Sequence, residues 1–421
     1  MKYIHTKKIS LALALGLPGL AIAGPDMAPM PPVEESNNGN FCEWLQNKPG
    51  TIWKEKSNPY LQEIQIDGRM QFQMAHLNGS DVNGQDWDEN YNEFRRFRLG
   101  VKTKFLQYFS VKAVWDLVDD TRRSNGAGSV NWGYKQFDEA YVGFDLGKAI
   151  GDTPFDSLEL KFGRQKYVLG QEARQSSKNI LTVERSAISN KVYGSYRPTG
   201  LTLEGESGPW AFQGSIYSTT VDGADNDEFN WYQDALIYYI GAGYKVNDEL
   251  SLFADYAYNA ADVVDGDNSV MDYAWATSIS AEYNQDSWGL NAEFIYGDNG
   301  GARVGNAAGR RAGFYGIILT PHAWIIKDSL QWVGQYQYQG SEDAEGVRIN
   351  SRYGRSRGTG VNGIDVNSGR GDSHNSFYTG LNYYICGDAA KIMGGIEYQT
   401  MDTPKGEFDT LTYLLAFRTY F

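Results

Sequence analysis

Polar and apolar residues alternate with a period of two through most of the chain beyond residue 60, the pattern of strands with one greasy and one wet face. The last twelve residues show it most clearly. Leu411, Tyr413, Leu415, Phe417, Thr419 and Phe421 share one parity, and Thr410, Thr412, Leu414, Ala416, Arg418 and Tyr420 share the other. A strand of this length spans a bilayer when tilted, and its aromatic ends suit the two interfaces. The first segment sets Ile64, Ile66, Met70, Phe72 and Met74 against Gln65, Asp67, Arg69, Gln71 and Gln73. The second sets Phe97, Leu99, Val101, Thr103 and Phe105 against Arg96, Arg98, Lys102 and Lys104. The third turns Phe109, Val111, Ala113, Trp115 and Leu117 outward. Further segments centre on residues 140–146, 158–162, 192–204, 210–218, 236–246, 250–258, 273–283, 288–296, 314–320, 330–338, 377–385 and 392–398. With the closing strand that makes about sixteen, an even number that suits a single-chain barrel with an aqueous channel.

The connections sort by parity. Long, polar, Gly/Asp-rich stretches follow the odd segments: 78–92, 119–133, 167–191, 219–235, 260–272, 297–311, 339–376 and 399–409. Most connections after even segments are short, such as 247–249 and 284–287. Long extracellular loops and tight periplasmic turns produce this rhythm; a soluble sandwich has no reason to. The expected fold is therefore all-β, a transmembrane antiparallel β-barrel over residues 61–421 with both ends of the barrel chain in the periplasm. Residues 24–60 lack the alternation and read as a periplasmic lead-in. Residues 1–23, with Lys2, Lys7 and Lys8 before an apolar run and Ala21-Ile22-Ala23 before Gly24, read as a secretory signal. Its removal takes the formal charge from −14 to −17.

Composition fits that picture. The mean hydropathy of −0.49 looks soluble, yet a barrel with a wet lumen makes only every second strand residue apolar. The 29 Tyr, 19 Phe, 11 Trp and 48 Gly suit aromatic girdles and closely approaching strands. Overall acidity argues against a nucleic-acid partner. No metal-ligand spacing, phosphate-binding glycine loop or cofactor motif is present. His374, Asn375 and Ser376 are adjacent in an expected loop, with nothing to converge them on one point, so an enzyme is not expected.

Two stretches resemble the phosphate-selective porin O and P family: residues 94–101, leading into Ser110-Val111-Lys112-Ala113, and Phe162-Gly163-Arg164-Gln165-Lys166, continuing through Gly170-Gln171-Glu172, Ser176-Ser177 and Glu184-Arg185-Ser186. The closing strands from Gly380 look similar too. The resemblance implies a sixteen-stranded homotrimeric channel in the outer membrane of a Gram-negative-type bacterium, whose third loop folds into the pore. The fifth loop, residues 260–268, departs from the phosphate-specific members. It carries Asp262, Asp265 and Asp267 but no Lys or Arg, which puts phosphate specificity in doubt.

The alternation assigns lumen residues. Charges on the lipid face near the midplane cost roughly 2–4 kcal/mol each, so Arg96, Arg98, Lys102 and Lys104 are expected inward, joined by Arg69, Lys112 and Arg418 in a basic, anion-attracting arc. Asp67 and Asp116 on flanking strands would either merely neutralise it or leave it in excess. Glu139, Asp145, Asp255, Glu282 and Glu293 make an expected opposing acidic wall, and the two walls together a transverse field favouring polar solutes. The third loop, with Glu172, Arg174, Lys178, Glu184 and Arg185, is the candidate constriction. Asp81, Asp86, Asp88 and Glu89 in the first loop, and Asp222, Asp225, Asp227 and Glu228 in the fourth, form an acidic rim that is either solvated or bridged to lipid phosphates by divalent cations. Arg348, Arg352, Arg355, Arg357 and Arg370 make the seventh loop basic, a solvated surface. Cys42 and Cys386 both face the oxidising periplasm and are either a disulfide or two separate thiols. The expected function is passive diffusion of small hydrophilic, polar or anionic solutes, with no cofactor. The alternative is a structural or adhesive barrel with a plugged pore.

Overall fold

The structure is a computed structural model describing residues 41–47, 49–119, 123–124, 130–193, 197–218, 236–260, 271, 273–300, 308–349, 352–354 and 363–421. The expected loop residues Asp222, Asp225, Asp227, Glu228, Asp262, Asp265, Asp267, Arg355 and Arg357 lie outside them.

Sixteen strands form the barrel: β1 (Leu61–Ser80), β2 (Asp86–Phe105), β3 (Phe109–Val118), β4 (Trp132–Asp145), β5 (Ser157–Arg164), β6 (Thr199–Ser207), β7 (Trp210–Ser218), β8 (Leu236–Lys245), β9 (Leu250–Asn259), β10 (Trp275–Asn284), β11 (Trp288–Asp298), β12 (Gly313–Ile326), β13 (Leu330–Ser341), β14 (Ser373–Tyr384), β15 (Ala390–Thr403) and β16 (Gly406–Tyr420). Each pairs antiparallel with its sequence neighbours. β16 closes on β1 with Phe72 opposite Phe417 and Met74 opposite Leu415, so no edge is left unpaired, as a membrane-spanning sheet requires. Phe421 packs where Gly68 leaves room. A Cβ at Gly68 would lie 2.2 Å from its ring.

Outward aromatics gather near both ends of the strands. Trp210 meets Tyr244 (4.5 Å between rings) and Trp288 meets Tyr283 on the periplasmic side; Trp275 meets Tyr296 on the other. These are two interfacial girdles around an apolar band.

Several sequence expectations shift. The first and eighth long loops are mostly strand, because β1 and β2 continue to a turn at residues 81–85, and β15 and β16 to one at 404–405. The sixth strand starts at Thr199, not near residue 192, because Ala187–Tyr193 is helical, and Leu146 begins a helix (Leu146–Ile150) instead of ending β4. His374 lies inside β14, buried between the side chains of Gln339 and Gln399, and not in a loop.

Before the barrel, α1 (Phe41–Gln46) carries Cys42, which is disulfide-bonded to Cys386 in the β14–β15 turn, and Leu45 packs on Ala389 and Ala390. A short strand, Thr51–Lys54, then pairs with the start of β1.

Candidate functional site

Two loops fill part of the lumen. The third crosses from the end of β5 to the start of β6 and contains α3 (Gln171–Arg174) and α4 (Ala187–Tyr193); α2 (Leu146–Ile150) precedes β5. It enters at Gly170, whose φ of +94° and a Cβ position 2.5 Å from Glu293 Oε1 exclude a side chain there. The acidic residues of β9–β11 then hold the first half of the loop. Asp255 accepts from the Gly170 amide (3.1 Å) and pairs with Arg174; Glu293 accepts from the Gln171 amide (3.0 Å); Glu282 accepts from Gln171 Nε2 (2.8 Å). Glu172 turns back to cap Ser186 (amide 2.8 Å, Oγ 2.7 Å) and accepts from Gln335 of β13 (2.9 Å), while Arg185 donates to the carbonyls of Glu172 and Gln175.

The second half of the loop rests on the basic side. Arg69 donates to Ser177 Oγ (2.6 Å), Gln71 to the Ser177 carbonyl (2.8 Å), and Arg418 to the carbonyls of Ser177 and Val183. Lys178 pairs with Asp67 (3.2 Å), which also pairs with Lys102. Glu184 bonds Arg95 Nε (2.8 Å) and Gln73 Nε2 (2.7 Å). Burial alone would raise the Glu184 pKa, but Arg95, Arg352 and Arg96 hold it well below the usual carboxylate range. Burial pushes the Lys178 ammonium down to about 8 against the pull of Asp67. Arg418 thus holds the loop by its backbone carbonyls and Arg69 by the Ser177 hydroxyl.

The basic arc is largely paired. Arg98 binds both Asp116 and Asp138 (2.6 Å each), Asp138 also binds Arg197 (2.9 Å), and Lys112 pairs with Glu139. Arg96 differs: buried, it donates to the neutral Gln71 (2.8 Å) with Arg95, Arg98 and Arg185 as neighbouring cations. Lys104 is exposed at the periplasmic end of β2, below the arc.

The acidic wall needs two corrections. Glu139 stands beside the basic residues, on β4, instead of opposite them. Asp145 belongs to no wall: it is exposed and caps the periplasmic helix α2 by accepting from the Lys148 amide. Asp255, Glu282 and Glu293 do line the far side.

The seventh loop is the larger surprise. In place of a solvated surface, it turns inward and buries Ile349, Tyr353, Ile364 and Val366 against Leu77, Tyr91, Met401, Phe408 and Leu414. Arg352 binds Glu93 through two contacts (3.0 and 2.6 Å), and the Tyr353 hydroxyl donates to the same carboxylate (2.9 Å). Met401 and Phe408, inward on the outer half of β15 and β16, can be apolar because this loop covers them.

Two β-bulges explain the site residues that strict alternation misses. β2 gains a residue at Arg95, so Arg95 and Arg96 both turn inward and Glu93 follows them. β4 gains one at Asp138, which puts Asp138 and Glu139 in the lumen together. A bulge reverses parity from that point on. The sequence signal for each was a doublet of like charges across both parities.

The comparisons agree with this architecture. Residues 64–238 match the family described as phosphate-selective porin O and P. Over that stretch, under half of its length, the chain is similar to this porin family. The porin is an outer-membrane channel protein by family and fold. Among solved structures it is similar to the outer membrane channel DcaP of Acinetobacter baumannii, with 15% identity, TM-score 0.53, 88% of this chain and 100% of that one covered. It is also similar to an anion-selective porin from Comamonas acidovorans (11%, 0.52, 85% and 99%) and to OmpF of Salmonella typhi (13%, 0.53, 87% and 99%). At these identities the likeness is one of fold. No curated protein matches the porin's sequence.

Proposed function

We propose that the porin is a passive diffusion channel, homotrimeric, whose constriction is tuned toward small polar and anionic solutes. The observation that carries this reading is Arg96. Its guanidinium meets a neutral amide, within a cluster that also holds Arg95, Arg98 and Arg185. The cluster's carboxylates, Asp116, Asp138 and Glu184, are already engaged by Arg98, Arg197 and Arg95. A collar with surplus cationic charge raises the local concentration of anions and repels cations. Phosphate specificity is left out, since residues 260–268 lack the basic cluster that it would need. The test is the reversal potential of single channels across a KCl gradient. The reading requires the sign of an anion-preferring pore, and a cation-preferring sign overturns it. A second reading, a structural barrel with an occluded pore, is favoured by the buried packing of the seventh loop; it requires that no conductance be seen at all.

A further inference from the structure

Loop packing divides the lumen unevenly. The third loop is bonded to side chains of β1, β2, β8–β11 and β13–β16, and reaches the β3–β6 side through Arg197, which pairs with Asp138 of β4; the seventh loop covers the outer part of the closing seam. Beneath those loops the inward residues are buried: Gln335, Gln337, Ser376, Asn382 and Thr412 have almost no exposure. Inward residues on the periplasmic half of β3–β6 are open instead. The side chains of Glu159 and Glu204 are 34% and 38% exposed, and that of Lys112 is 23% exposed.

These residues, with the less exposed Glu139 (17%) and Lys161 (15%), form a belt. Lys112 (β3) bonds Glu139 (β4), and Lys161 (β5) bonds Glu204 (β6), with Glu159 3.6 Å from Lys161 and accepting from Ser110 Oγ at 2.9 Å. Tyr141 lies between the two ammonium groups, its ring 5.8 Å from Lys112 Nζ and 5.5 Å from Lys161 Nζ. Two ammonium groups face three carboxylates, so the belt bears a slight negative excess directly below the cation-rich collar.

We propose that solutes cross on the β3–β6 side of the lumen, and that this belt is a second selectivity station in series with the arginine collar. It opposes the collar. Its carboxylates limit how strongly anion-selective the pore becomes and give the amine end of a zwitterionic solute a partner once its anionic end has passed the arginines. This rests on the channel reading above.

Cysteine accessibility tests it, because both native cysteines are in the disulfide and leave no background thiol. Glu204→Cys should be modified by a charged methanethiosulfonate, with a step down in single-channel conductance. Gln335→Cys, on the packed side, should not respond. Equal response at both sites, or a response at Gln335→Cys alone, overturns the proposed path. The selectivity arm uses Glu159→Gln with Glu204→Gln, which should shift the reversal potential further toward anions, while Lys161→Gln shifts it the other way. No shift in either, alongside a clear shift in Arg96→Gln, removes the belt as a station and leaves the collar reading intact. A wild-type protein without conductance defeats the channel reading itself.

Discussion

Replacing Arg96 and Arg98 one at a time separates selectivity from structure. Arg96→Gln removes a charge whose polar partner is the neutral Gln71, so no carboxylate is stranded and the fold should tolerate it. A unit charge about 7 Å from a permeating ion contributes about 0.6 kcal/mol in water-like dielectric. With a Debye length of about 10 Å at 0.1 M this falls to about 0.3 kcal/mol. Anions lose that attraction and cations lose the same repulsion, so the anion-to-cation permeability ratio should drop about threefold. At 1 M, where screening reaches only about 3 Å, almost nothing should remain. Arg98→Gln instead removes the partner of Asp116 and one of the two partners of Asp138. Breaking a buried pair from one side typically costs about 3–5 kcal/mol, so this variant should lose its compact form on detergent gels at a clearly lower temperature. Reversal potentials at the two salt concentrations, with heat-modification gels on the same preparations, make the comparison. The reasoning fails if Arg96→Gln leaves the ratio unchanged at 0.1 M, or if Arg98→Gln is as heat-resistant as the parent.

Other outcomes follow from the loop anchors and the disulfide. Arg418→Met removes two charged hydrogen bonds to the third loop, each about 1.5–3 kcal/mol; single-channel conductance should rise and fluctuate while the barrel keeps its heat resistance. Tyr353→Ala with Arg352→Ala should release the seventh loop, seen as protease cleavage between residues 342 and 372 on intact cells, with unchanged cutting showing that the apolar packing alone holds it. Intact mass after alkylation without reductant should show no label on Cys42 or Cys386, and two labels would exclude the bridge; replacing both by Ser should lower the dissociation temperature, since such a link typically contributes about 2–4 kcal/mol. Unheated porin should migrate as a compact oligomer and collapse on boiling to about the 47.1 kDa chain mass or slightly less, and identical migration in both lanes would argue against a trimer.

The barrel was legible because lipid imposes a rule on every second residue. Phe72, Phe97, Leu99 and Leu415 cannot turn inward without exposing Gln71, Arg98 or Arg418 to hydrocarbon. The lumen obeys no such rule. Arg95 and Asp138 escaped because a bulge inserts one residue without any change in composition. The inward fold of the seventh loop escaped because its arginines look solvated in sequence. What marks it is the apolar set Leu77, Met401, Phe408 and Leu414 at lumen positions, and those residues make sense only once something covers them. Asp145 was misplaced because a terminal strand residue and a helix cap share the same parity.

The measurement that bears most directly on the central claim is conductance of the purified protein in a planar lipid bilayer. A water-filled path beside the third and seventh loops requires stepwise, ohmic openings, larger in Arg418→Met than in the parent. A bilayer that stays silent with well-folded, heat-modifiable protein would mean that the two loops seal the barrel, and that this chain is a plugged barrel and not a channel.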